Sequence, residues 1–107
     1  MSLDINELLA NMLAAVKGSL GEDWSIAKAA INTFIEKRKS RLELLIQLRV
    51  DDEVSNEFFF KLIAMEKDIF ESELHAIAII TKAAAQRAAN AAIDVLTAAI
   101  SKLVPKL

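Results

Sequence analysis

Residues 74–103, LHAIAIITKAAAQRAANAAIDVLTAAISKL, decide the fold. Eleven of the chain's 18 alanines fall between Ala76 and Ala99, and the stretch holds neither glycine nor proline. Alanine is the strongest helix former, so the segment reads as helix throughout. Lys82, Gln86, Asn90 and Asp94 step by four, and Thr97 and Ser101 carry the row onward as one narrow polar line. Most of what surrounds that line is Ala, Ile, Val or Leu, an apolar arc much wider than the usual core-facing stripe. A helix of this kind needs neighbours on two sides. Its small side chains also let helix axes approach closely.

Upstream, the apolar positions Val54, Phe58, Phe59, Leu62, Ile63, Ile69, Phe70, Leu74 and Ile77 run into this segment without punctuation. A single helix over 52–104 is therefore the favoured expectation. Fifty helical residues span about 75 Å, whereas a compact domain of this length has a radius of gyration near 13 Å. Such a helix would project, and its far half would pack on another subunit. The alternative is a break near 77–81, where the β-branched Ile77, Ile79, Ile80 and Thr81 cluster, which gives a four-helix bundle. The positions Ile63, Phe70, Ile77, Ala84, Ala91 and Ala98 repeat every seven residues, as coiled-coil-like packing requires.

Two further helices precede it. The first is expected over about 5–17, with Asp4 as cap, Glu7 at capping-box spacing, and Gly18 closing it. Its apolar stripe is Ile5, Leu8, Leu9, Met12, Leu13 and Val16. The second is expected over about 23–49, with Ala27, Ala30, Ile31, Phe34, Ile35, Leu42, Leu45 and Leu48 inward. Asp51-Asp52-Glu53 would then cap the third.

Charge alternates along the chain. Residues 24–50 carry six basic and two acidic groups, net +4, while residues 51–73 carry two basic and eight acidic groups, net −6. This suits an antiparallel hairpin in which Lys37, Arg38, Lys39 and Arg41 face Glu66, Asp68, Glu71 and Glu73. Exposed pairs each contribute only about 0.2–1 kcal/mol, so charge sets register while apolar burial holds the hairpin together.

Composition narrows function more than it identifies it. The chain has 107 residues, 54% of them hydrophobic, with two glycines and one proline, which excludes a disordered tail and a turn-rich β-sandwich. Without cysteine there is no disulfide scaffold, thiolate zinc site or cysteine nucleophile. The net charge of −2 argues against nucleic-acid binding driven by overall charge. The acidic start and the absence of a long uncharged apolar run point to a cytoplasmic chain.

Candidate sites are few. The Lys37–Arg41 cluster has the charge to meet phosphates, yet no aromatic residue interleaves with it for base stacking, so nucleic acid is not expected. Glu66, Glu73 and His75 raise the idea of a carboxylate–histidine metal site in a helical bundle, but the Glu-x-x-His motif of di-iron proteins is missing. No metal or other cofactor is expected. Nor does any nucleophile elbow or glycine-rich phosphate loop occur, and no catalytic residue is expected. Phe58-Phe59-Phe60 covers about 200° of a helix surface, so at least one ring must point away from the core, with Phe60 the candidate.

The expectation is thus an all-α protein, a helical hairpin or bundle with a long alanine-rich C-terminal helix completed by oligomerisation. Its function would be structural or interaction-mediating and non-enzymatic. The expected interface is Ile77, Ile80, Ala84, Ala88, Ala91, Val95 and Leu103, with Phe60 peripheral. The partner would be a second copy or another protein. An alternative lays the same apolar arc on a membrane surface, with Lys82, Arg87 and Lys102 at the head groups.

Overall fold

The structure, a computed structural model, describes residues 4–77 and 80–103. It is all-helical. The elements are α1 (Ile5–Leu20), a single 3-10 turn (Gly21–Asp23), α2 (Trp24–Lys37), α3 (Lys39–Val50), α4 (Asn56–Ile77) and α5 (Lys82–Leu103). They make four helical arms, because α2 and α3 form one arm bent at Arg38.

The first helix begins as its cap dictates: the Asp4 carboxylate accepts from the N–H groups of Asn6 at 3.0 Å and Glu7 at 3.2 Å. It ends later than expected. Gly18 lies inside the helix, and the closing residue is Gly21, at φ +57 with its N–H donated to the Lys17 carbonyl. Only the second glycine takes the left-handed backbone that stops a helix.

The helix expected over 23–49 is interrupted at Arg38, which has φ −86 and ψ −6 and donates its N–H to the carbonyls of Phe34 and Ile35. No glycine or proline marks this bend. It lets one arm lay Ala27, Ile31, Phe34 and Ile35 and then Leu42, Leu45 and Ile46 into the same core.

The continuous helix expected over 52–104 is corrected to two helices of 22 residues each, α4 and α5. Residues 78–79, within the expected break, and Val104 lie outside the described residues. Ile80 and Thr81 are not helical, and the Thr81 hydroxyl accepts from the Ala84 N–H at 3.0 Å, which makes it the N-cap of α5. At 1.5 Å per residue a 22-residue helix is about 33 Å long. That fits the long dimension of the described residues, 39 Å, and their radius of gyration of 13.6 Å is that of a compact domain.

Turning back at this point brings α5 against α1, its most extensive neighbour, and α4. Ala84, Ala85, Ala88, Ala89, Ala92, Ile93, Leu96 and Ile100 are buried there. The two neighbours that the wide apolar arc demands are both supplied within the chain. Burial of each large apolar side chain in this core contributes about 1.5–3 kcal/mol. Phe34 and Phe70 meet edge to face at 5.0 Å and tie α2 to α4.

Candidate interaction surface

The α3–α4 hairpin is pinned at both ends by arginines. At the turn, the buried Arg49 donates through Nε to Asn56 Oδ1 at 2.7 Å and through Nη1 to Asp52 Oδ1 at 3.0 Å. Asp52 itself has φ +59. Ser55, rather than the acidic run 51–53, caps α4, its hydroxyl accepting from the Phe58 N–H at 3.1 Å. At the other end Arg38 reaches Glu66 Oε1 with Nε at 2.8 Å and Nη2 at 2.5 Å, and Arg41 Nε stands 3.9 Å from Oε2. Glu66 is only 1% exposed. The expected pairing of the basic with the acidic segment is thus realised by Arg38 and Arg41 on one carboxylate.

With the register held this way, α4 divides its surface in two. Phe59, Ile63, Phe70 and Leu74 face the core with Glu66. Phe58, Leu62, Met65 and Ile69 form a second stripe, set by spacings of four, three and four residues. Phe58 is 50% exposed and Met65 56%, while Leu62 and Ile69 are half-buried. Glu66 and the α3 arginines lie between this stripe and the core face, so the stripe borders α3. On that helix Leu44, 49% exposed, and the half-buried Leu48 lie on the α4-facing side, outward of Leu45 and Arg41. The helical positions and the register of Arg49–Asn56 and Arg38–Glu66 bring both sets of side chains to one outer face.

The expected interface is redistributed. Ala84, Ala88 and Ile80 are core residues of the single chain, and Ala91, Val95 and Leu103 are half-buried. The buried members of the arc pack within the chain, where α1 and α4 are the main neighbours of α5, while Ala91, Val95 and Leu103 keep part of their surface in solvent. Lys82, Arg87 and Lys102 are exposed. Phe60 and Ile77 are exposed, at 45% and 39%. Of the three phenylalanines, Phe59 is inward, while Phe58 and Phe60 point to opposite flanks; Phe58, with its neighbours one and two turns on, is the one sequence reasoning missed. The spacing 58, 62, 65, 69 was the signal that could have found it.

The residues of the metal alternative are not brought together. Glu66 is engaged by two guanidinium groups, whereas Glu73 and His75 are exposed. Among the described residues no group of three or more His, Asp and Glu side chains is placed to hold an ion. The basic cluster is divided too, with Arg38 and Arg41 turned to Glu66 and Lys37 at the rim of a shallow groove between α2 and α4. That groove, about 390 Å³, is floored by Ala29, Ala30, Phe34 and Ile77, with Lys37 and Glu73 as its only charged groups. No helix among the described residues is long and apolar enough to cross a membrane.

Compared with known families, characterised proteins and solved structures, the chain matches none.

Proposed function

We propose that the protein is a non-enzymatic protein-interaction module whose contact surface is the outer apolar face of the α3–α4 hairpin. The observation that carries this reading is that Phe58, Met65 and Leu44, each about half exposed, fall on one outer face by helical position, whereas the other exposed large apolar residues, Ile26, Val50, Phe60 and Ile77, fall outside it. Single exposed apolar side chains are ordinary, but a contiguous group at helical spacing marks a surface that gains by being covered. The face is also held still. Arg49 at one end and the Arg38–Glu66 pair at the other fix the two helices against each other, so little ordering entropy is lost on binding. This reading replaces the alanine-rich helix as the contact surface, because α5 spends its apolar arc on α1 and α4.

The test is site-specific photo-crosslinking in the cells that make the protein. A photoreactive residue at position 65 is expected to give protein adducts, and one at the exposed position 86 on α5 is not. Adducts from 86 and none from 65 would move the surface to α5. Adducts from neither would overturn the interaction reading.

A further inference from the structure

We infer that the occupant of the α4 stripe is a second copy of this chain, docked antiparallel about a two-fold axis. The inference rests on the contact surface proposed above and adds the partner and its orientation.

The spacing of the stripe is symmetric under reversal. Phe58, Leu62, Met65 and Ile69 step by four, three and four, so a helix laid antiparallel on its own copy sets Phe58 against the copy's Ile69 and Leu62 against the copy's Met65. All four positions find an apolar counterpart at once, which a two-fold interface requires, since the same patch must fit itself. The flank carries the orientation. Lys61 and Asp68 are exposed, lie roughly 80° around the helix from the stripe at 100° per residue, and stand on its side away from α3. Neither is in an ion pair among the described residues. A two-fold axis perpendicular to α4 keeps that flank on one side of the pair. Lys61 of each copy then falls within about half a turn of Asp68 of the other, giving two opposite-charge contacts. A parallel two-fold would instead carry this flank of the two copies to opposite sides of the pair, so that Lys61 and Asp68 would meet neither each other nor their own copies. On the other flank Leu44 and Leu48 of both copies extend the apolar contact.

The test is solution mass by light scattering after size exclusion, from micromolar to millimolar concentration, on the full chain. The unaltered protein is expected to move from 11.8 kDa toward twice that mass as concentration rises. Met65→Asp, on an exposed position, is expected to stay at 11.8 kDa with unchanged helicity. Lys61→Glu is expected to weaken the dimer about fivefold, as the reversal of two exposed pairs implies, and Asp68→Lys added to it to restore the affinity. A mass of 11.8 kDa at every concentration would overturn the second copy. The interaction reading would still stand if the crosslinks from position 65 then carried a different protein. A dimer insensitive to Met65→Asp would place the contact elsewhere and overturn the inference. A dimer lost with Met65→Asp, in which Asp68→Lys does not restore the affinity that Lys61→Glu removes, would overturn the antiparallel orientation.

Discussion

The two 22-residue helices α4 and α5 make opposite use of their apolar surface. On α5 the arc is broad and lined by alanine, and α1 and α4 cover it within the chain. On α4 the core face is lined by Phe59, Ile63, Phe70 and Leu74, and a second stripe from Phe58 to Ile69 is left partly in solvent. Small side chains permit close approach of helix axes, so an alanine-rich helix is readily enclosed by neighbours on two sides. Bulky side chains hold neighbours further off, and although α5, α2 and α3 all pack on α4, they leave Phe58 and Met65 half exposed. Apolar width alone therefore does not identify a docking surface; what the chain leaves uncovered does.

The largest effect should separate the two helices directly. Ala88→Asp buries an unpaired charge where the side chain is fully enclosed, and is expected to cost about 4 kcal/mol or more and to leave the protein largely unfolded by circular dichroism. Met65→Asp on the exposed stripe is expected to change unfolding free energy by no more than about 0.5 kcal/mol at concentrations where the chain is a monomer. Equal losses in urea unfolding would erase the distinction between a covered and an uncovered face.

Next comes the pin that sets the register of α4. Arg38→Ala leaves the Glu66 carboxylate buried with only Arg41, 3.9 Å away, and is expected to destabilise by about 3 kcal/mol in urea unfolding. Glu66→Gln should cost less, because Arg38 is partly exposed and recovers water. The reverse order would mean that the pair does not hold the hairpin through a buried carboxylate.

A smaller effect tests how α5 is turned back. Thr81→Ala removes the hydroxyl that accepts from the Ala84 N–H, and is expected to cost about 1 kcal/mol, read as a lowered Tm. The smallest concerns α1, the main neighbour of α5. Gly18→Ala is expected to stabilise by about 0.5–1 kcal/mol, because the site is helical and an added Cβ meets nothing within 4 Å. Gly21→Ala at φ +57 should destabilise instead. Both are read by thermal unfolding.

Much of this was legible from residues. Asp4 announced the first helix, and the stripe from Ile5 to Val16 announced its buried face. The opposite charges of residues 24–50 and 51–73 announced a hairpin, realised by Arg38, Arg41 and Glu66. Other features had no distinctive local mark. Gly18 and Gly21 are equivalent on paper, and only backbone geometry shows which one closes the helix. Thr81 stands among isoleucines and has no acidic residue three positions on, so it does not look like a cap. The bend at Arg38 occurs where every residue favours continuing. The candidate surface was half visible: Phe58-Phe59-Phe60 required an outward ring, yet choosing between Phe58 and Phe60 required knowing which elements flank α4.

By itself the sequence determined that the chain is helical, which face of the first helix must be dry, and that the alanine-rich helix needs two neighbours. Periodicity and composition carry that information because helix geometry turns spacing into direction. The tertiary structure alone decided that those neighbours come from the same chain, that the chain turns at Ile80–Thr81, and that the stripe from Phe58 to Ile69 is left partly in solvent. A cap or a glycine weighs about 1 kcal/mol, whereas burial of a whole helix face weighs many times that. The turn therefore sits where it lets the faces meet, and local signals only ease it into place.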